Sequence, residues 1–169
     1  MMKKMIGIAA ALAILSGTMT AEALVPGMDM EAGYGYNTAK DGIHQVHVSI
    51  TPIPKLTVGA EARHWNHGGN ETDVYGKYKI GNLYVGLGNR NYYDRDAHLF
   101  GLVEGRTNVA GPLDAYAGLK VSSEEMEYKA GLQLNVVPTA FDVDLNYTYY
   151  DRDDVKNEGG VGIGLNYHF

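Results

Sequence analysis

The sequence predicts an all-β protein that folds as one antiparallel, up-and-down transmembrane β-barrel of about ten strands. Three observations predict this fold. Beyond residue 23, apolar and polar residues alternate with a period of two, which is typical of strands that have one apolar face. The connections between these segments alternate between compact turns and longer polar loops. The chain ends in an alternating segment that closes on Phe169.

The first 23 residues are predicted to be a signal peptide. Lys3 and Lys4 form a short basic region, and the apolar run over 6–15 is too short to span a bilayer as a helix. Ala21-Glu22-Ala23 supplies the small-x-small pattern of a cleavage site. We therefore expect 1–23 to be removed and 24–169 to form a single barrel domain.

The composition excludes several classes of protein. The chain has no cysteine, so an exported fold must be held by backbone pairing and packing without disulfides. The formal net charge is −6 and no basic stripe occurs, which excludes nucleic acid as a partner. The 13 tyrosines favour strands, and the 22 glycines suit a crowded barrel wall.

The alternation can be followed through ten segments, each of roughly the 9–11 residues that a tilted membrane strand needs. They cover about 28–37, 43–51, 55–65, 72–80, 83–93, 97–107, 112–121, 126–136, 141–150 and 159–169. Because the first segment is the least regular, a barrel of eight strands stays open. The order of short turns and polar loops places both chain ends on the side of the short turns, which we expect to be periplasmic.

The two faces of the strands differ in charge, and this difference indicates which face meets lipid. A soluble lipocalin-type barrel would turn its apolar face inward. Here one face is almost free of charge, as lipid contact requires, because a lipid-facing Lys or Arg at mid-bilayer costs about 2–4 kcal/mol. Asn89 and Asn91 depart from the pattern, and we expect a β-bulge to correct their register.

The other face carries charges of both signs that are predicted to line the lumen. These residues are Glu61, Arg63, Asp73, Lys77, Lys79, Arg90, Glu104, Arg106, Asp114, Lys120, Glu127, Lys129, Asp142 and Asp144.

Outward-facing aromatic residues are predicted to form two girdles at the membrane interfaces. The periplasmic girdle comprises Tyr78, Phe141, Tyr167 and Phe169. The outer girdle comprises Tyr93, Tyr128, Tyr147 and Tyr149.

Leu165, Tyr167 and Phe169 alternate with polar or small residues in the final segment. This ending resembles the C-terminal signal by which outer-membrane proteins are recognised for assembly. The whole mature chain resembles small bacterial outer-membrane β-barrel proteins, porin-like or YfaZ-like by its ten segments, with an OmpA/OmpX-type barrel as second choice. The resemblance implies a place in the cell outer membrane and contact with its lipids and lipopolysaccharide. It also implies the barrel-assembly machinery and periplasmic chaperones as partners during biogenesis.

Four histidines are expected near one rim of the barrel: His44, His47, His64 and His67. Neutral imidazoles close together can bind Zn²⁺ or Cu²⁺. The alternation sends His44 and His64 outward but His47 inward, which spoils a shared site. We therefore expect a polar rim and no metal site.

No pattern in the chain indicates catalysis or a cofactor. The acidic loops at 94–96 and 151–154 lack the ligand spacing of a calcium-binding EF-hand. No G-x-S-x-G nucleophile motif and no phosphate-binding glycine loop occur. We therefore expect no catalytic residues and no cofactor.

The interior is the most informative region for function. Ten strands enclose more space than eight, and glycines on the lumen face leave room. The sequence therefore predicts a structural barrel or a narrow polar pore that is not an enzyme. The alternative is a surface-exposed binding or adhesion barrel that acts through its outer loops, although their shortness counts against it. Whether salt bridges plug the lumen stays open at this point.

Overall fold

The computed structural model describes 29–67, 69–92, 96–136, 140–153 and 156–169. The expected signal peptide lies outside these residues, and so does Tyr93 of the predicted outer girdle. In the described part of the chain, no helix is long and apolar enough to cross a membrane.

The described residues form ten strands and one short 3₁₀ turn at Ala39–Asp41. Each strand pairs antiparallel with the next, and β1 pairs with β10, so that the sheet closes into a barrel. This confirms the predicted antiparallel barrel and decides for ten strands over eight. The strands are β1 (Asp29–Asn37), β2 (Ile43–Ile53), β3 (Leu56–Trp65), β4 (Gly69–Ile80), β5 (Leu83–Tyr92), β6 (His98–Ala110), β7 (Leu113–Ser122), β8 (Glu125–Val136), β9 (Phe141–Arg152) and β10 (Glu158–His168).

Strand β9 shows why the alternating sequence folds in this way. Its polar residues Asp144 and Thr148 are buried inside the barrel, whereas Leu145 and Tyr147 are about half exposed on the outside. The other strands follow the same arrangement, with many large apolar side chains exposed and charged ones buried. A soluble barrel would have the reverse arrangement, so the apolar outer surface is suited to lipid.

The two ends of the barrel differ in their connections. At one end, here called the turn end, two-residue turns join β2 to β3, β4 to β5 and β6 to β7, and both β1 and β10 have their terminal ends there. Gly81 and Gly111 adopt positive φ in two of these turns, a conformation that glycine accommodates without strain. The opposite end is called the loop end.

The prediction of a β-bulge at Asn89 and Asn91 is wrong. Strands β4 and β5 pair in uninterrupted register, with Asn89 opposite Val74 and Asn91 opposite Thr72. Both asparagines stay on the outer face near the loop end of β5, where a polar side chain meets the membrane interface and needs no correction. The register shifts lie in the β2–β3 and β6–β7 pairs, each beside a turn.

Candidate functional site

Nine charged side chains fill the lumen on the loop-end side, and we call them the loop-end network. Seven of the nine side chains are less than 10% exposed. The network contains four cations and five carboxylates: Arg63, Arg90, Lys120, Arg152, Glu61, Glu71, Asp73, Glu125 and Glu127.

Arg90 on β5 has the most hydrogen bonds in this network. It donates two hydrogen bonds of 2.7 Å to Asp73 on β4. It also donates across the lumen to Glu125 at 2.6 Å and Glu127 at 3.0 Å, both on β8. One guanidinium thus joins three strands, and its fork geometry allows this because its donors point in several fixed directions.

The other cations extend the network around the barrel. Arg63 on β3 donates to Glu127 at 2.9 Å and also hydrogen-bonds Glu61. Arg152 on β9 donates to Glu71 on β4 at 2.8 Å. It also donates to Glu125 at 2.7 Å. Lys120 on β7 pairs with Glu61 and Asp73. With these pairs included, every strand from β3 to β9 except β6 contributes a side chain to the network.

Buried charges are stable only when they are well paired, because removal from water costs several kcal/mol per ion. The network meets this condition through mutual contacts. Lys120, for example, lies 3.1 Å from Asp73 and 3.5 Å from Glu61. Most charged groups of the network therefore already have a partner, although Arg63 Nη1 and Glu71 Oε2, which lie 3.5 Å apart, form no hydrogen bond.

A small apolar cluster covers the network at the loop end, and we call it the loop-end cap: Ala39, Ile43, Trp65 and Tyr150. The Trp65 and Tyr150 rings meet edge to face at 5.0 Å between centroids. The Arg152 guanidinium lies 4.1 Å from the Trp65 centroid, so the cap rests directly on the network. The cap and the network together occupy much of the lumen on the loop-end side.

The rest of the lumen is a polar space, here called the turn-side cavity. It has a volume of about 150 Å³, with an adjoining space of about 110 Å³ that shares several wall residues. One wall is formed by Gly35 of β1 and by Gly162 and Gly164 of β10. The facing walls carry long polar side chains, which include Gln45, Tyr75, Lys77, Glu104, Arg106, Tyr116, Lys129 and Asp144.

A chain of polar contacts crosses the seam where β1 meets β10. His47 Nε2 lies 2.8 Å from Glu31 Oε1, and Glu31 Oε2 lies 3.7 Å from His168 Nε2. His168 in turn contacts Asp142, which accepts a hydrogen bond from Gln133 at 2.5 Å. Five neighbouring strands, β2, β1, β10, β9 and β8, are thereby linked at the turn end.

The structure divides the predicted lumen residues among three places. The loop-end network contains Glu61, Arg63, Asp73, Arg90, Lys120 and Glu127. The wall of the turn-side cavity contains Lys77, Glu104, Arg106, Lys129 and Asp144. Residues nearer the turn end are Lys79, Asp114 and Asp142, of which Asp142 is buried and Lys79 is exposed.

Sequence reasoning missed several members of the network. Glu71, Glu125 and Arg152 were expected in loops, but β4, β8 and β9 extend through them. The alternation was the available signal, since each lies two residues from a lumen-facing residue of the same strand. Glu31 was missed because the first segment is irregular.

The predicted girdle residues that the structure describes lie on the outer face, and most of them are near the two ends. At the turn end, the Phe141 and Tyr167 rings are 4.8 Å apart, and Tyr167 and Phe169 are 4.7 Å apart. At the loop end, Tyr128 and Tyr149 are 6.3 Å apart. Tyr78 and Tyr147 are also exposed on the outer face. Tyr34 and Tyr36, which the sequence did not single out, contact the outward-facing His44 from β1.

The histidines do not converge. His44 and His64 are opposite one another on the outer face, where they contact Tyr34 and Asn70. His47 lies inside against Glu31. Among the residues that the structure describes, no group of three or more His, Cys, Asp or Glu could hold a metal ion.

Comparison with solved structures supports the barrel fold. No protein-family model matches the sequence, and no curated protein matches it. The chain is similar to the solved structure of the KdgM porin in complex with disordered oligogalacturonate, with a TM-score of 0.53, 11% identity, and coverage of 82% of this chain and 99% of that chain. It is also similar to the NanC porin, with a TM-score of 0.50, 14% identity, and coverage of 83% and 99%. The likeness shows a small barrel fold of the outer-membrane type.

Proposed function

We propose that the protein is a non-enzymatic outer-membrane β-barrel whose lumen is closed at the loop end in its resting state. It would serve as a structural barrel with a narrow polar interior, and not as an open pore. The loop-end network is the observation that carries this proposal, because its side chains cross the lumen from β3–β5 to β8 and β9.

The outer surface supports the place in a membrane. Apolar side chains such as Leu87 and Leu99 are 74% and 77% exposed on the outside. Contact of this apolar surface with water would be strongly unfavourable over a whole barrel, whereas contact with lipid is not. The aromatic residues gather near the two ends, as the two interfaces of a bilayer favour. The barrel fold shared with the porins supports the outer membrane in particular.

The energetics of buried ion pairs support a closed lumen. A passage wide enough for a solute would separate groups such as Arg90 and Glu125, which are each almost fully buried. Separation of a buried pair leaves an uncompensated charge, at a cost of about 3–5 kcal/mol. Several such pairs would have to open together.

The described connections at the loop end give little support to a role in adhesion. Only Ser123 and Glu124 join β7 to β8, and three residues join β3 to β4. Recognition of a large partner usually needs longer loops.

The membrane location is tested by two measurements on the full chain. We expect the protein to fractionate with outer membranes and to migrate differently on a detergent gel before and after boiling. A protein that fails both tests would overturn the proposal at its first step.

The closed lumen is tested by conductance in planar bilayers. We expect the wild-type barrel to be silent and the double variant Arg63→Ser/Glu127→Ser to conduct, because it removes a facing pair without leaving a single unpaired charge. Lys79→Ser, which lies outside the network, is the matched control and should stay silent. Open-pore conductance of the wild type would contradict the closed lumen, and a silent double variant would show that the network is not the barrier.

A further inference from the structure

The turn-side cavity holds charged side chains whose hydrogen-bonding capacity is only partly used. Arg106 donates to Gln133 at 2.5 Å, and Asp144 accepts from Tyr116 at 2.5 Å. Lys77 Nζ lies 3.6 Å from Glu104 Oε2, and Lys129 Nζ lies 4.0 Å from Asp144 Oδ2. Both distances are too long for a hydrogen bond. Arg106 Nε is buried and has no hydrogen-bond partner. Arg90 of the loop-end network, by contrast, donates four hydrogen bonds.

Some neutral side chains in the same cavity also form no side-chain hydrogen bond. In the described part of the chain, the side chains of Gln45, Tyr75 and Asn166 line the cavity without a side-chain hydrogen bond. The two amides and the phenol provide both donors and acceptors. The cavity therefore offers hydrogen bonds of both kinds to an occupant.

The charges of the cavity are nearly balanced in sign. Its lining contains four carboxylates and three cations: Glu31, Glu61, Glu104, Asp144, Lys77, Arg106 and Lys129. The cations Lys77, Arg106 and Lys129 already lie within 4.0 Å of Glu104 or Asp144. A free anion would approach these carboxylates as well, and a free cation would approach the lysines, so each would meet repulsion. A hydroxyl group both donates and accepts, and it brings no net charge.

The glycine wall supplies the room. A Cβ placed on Gly35 would have its closest contact at 3.5 Å, with the carbonyl oxygen of Ile163, which shows that space lies beyond that backbone. A volume of about 150 Å³ corresponds to about five water molecules at about 30 Å³ each, so it suits a small solute and not a polymer. Since the proposed function closes the loop end, the solute would enter from the turn end.

We propose that the turn-side cavity binds a small uncharged polyhydroxyl solute, which enters from the turn end. This inference rests on the proposed function in one point only, namely that the solute enters from the turn end. The solute would replace water on Lys77, Lys129 and the uncommitted amides, with its hydroxyls donating to the carboxylates.

The test uses the refolded, ¹⁵N-labelled full barrel in detergent micelles. Glycerol, erythritol and glucose are titrated in turn, and sodium acetate and methylammonium chloride serve as charged probes of small size. We expect saturable shifts of the backbone amides around the glycine wall with at least one polyol, and weaker effects with both charged probes. Gly35→Leu, which fills the cavity, should weaken polyol binding by about tenfold or more. Gly76→Leu, on the outer face with nothing within 4 Å of its Cβ position, should bind as the wild type does.

Three results would overturn the inference: no saturable shift with any polyol, tighter binding of a charged probe, or undiminished binding by Gly35→Leu. Lys77→Gln provides a second variant that keeps the wall intact if Gly35→Leu does not fold, and it should also bind more weakly. Conductance of the same preparations separates the two proposals. A silent barrel that binds no polyol contradicts this inference alone, whereas a conducting barrel that binds one contradicts the closed lumen alone.

Discussion

Arg90 and Asp73 occupy directly opposite positions on β5 and β4 and are joined by two parallel hydrogen bonds of 2.7 Å each. Such a bidentate pair fixes both side chains in direction as well as in distance. From this position Arg90 can reach Glu125 and Glu127 on the far side of the lumen. The pair therefore connects the local register of two strands with the closure of the whole interior.

Loss of Arg90 should be strongly destabilising. Arg90→Met leaves Asp73, Glu125 and Glu127 with fewer partners in a buried site, and we expect the free energy of unfolding to fall by about 3–5 kcal/mol. Urea unfolding in lipid vesicles measures it. Trp65, the only tryptophan of the chain and buried beside Arg152, reports through its fluorescence. Lys79→Met, at an exposed site outside the network, is the control and should cost less than about 1 kcal/mol.

A loss by Arg90→Met no larger than that of the control would mean that the buried pairs contribute little to stability. The barrel would then be held mainly by its backbone ladders and its lipid contacts.

The outer face should reject charge where the lumen face tolerates it. Leu145→Lys places an ammonium on the apolar outer surface between the two girdles, and we expect a loss of about 2–4 kcal/mol in vesicle unfolding experiments. Asn146→Lys, one residue further along β9 and facing the lumen beside Asp144, should cost much less. Equal losses for the two variants would argue against lipid around this face.

Gly86 of β5 and Gly101 of β6 should differ in their tolerance of a methyl group. A Cβ on Gly86 would collide with the carbonyl oxygen of Gly76 and lie 2.9 Å from Lys77 Cα, so Gly86→Ala should cost about 1–3 kcal/mol. Gly101 faces outward with nothing within 4 Å of its Cβ position, so Gly101→Ala should be neutral or stabilising by up to about 1 kcal/mol. Unfolding midpoints of the two variants, compared side by side, check this difference. A tolerated alanine at 86 would mean that β4 and β5 are further apart than they are in the structure.

Most of the fold could be predicted from the sequence, because a period of two directly assigns each residue of a strand to one face. Asp142 and Asp144 against Val143 and Leu145 show this in β9, and the structure places them on opposite sides. Strand ends were less predictable. Glu71 and Glu125 have the charge typical of loops, and only their partners across the lumen make a strand position favourable.

The pairing inside the lumen could not be predicted. Arg90 and Glu125 are 35 residues apart and meet only because the barrel closes with a particular stagger between its strands. Trp65 shows the same limit, since a tryptophan in a membrane protein is typical of an interface girdle. Here it faces inward against Tyr150 and Arg152.

The C-terminal residue should matter more for assembly in cells than for folding in vitro. The Phe169 backbone N–H donates to Met30 O at 2.9 Å, and its ring packs against Tyr167 at the seam of β1 and β10. If Leu165, Tyr167 and Phe169 form a signal for the assembly machinery, deletion of Phe169 should lower the heat-modifiable fraction in outer membranes severalfold. The same protein should still refold into vesicles from urea, with a loss of about 1–3 kcal/mol from the missing ring. Phe169→Tyr, which keeps the aromatic ring, is the control and should assemble normally. Normal assembly of the deletion variant in cells would show that this ending is an ordinary closing strand, whereas failure in both settings would assign Phe169 to barrel closure and not to recognition.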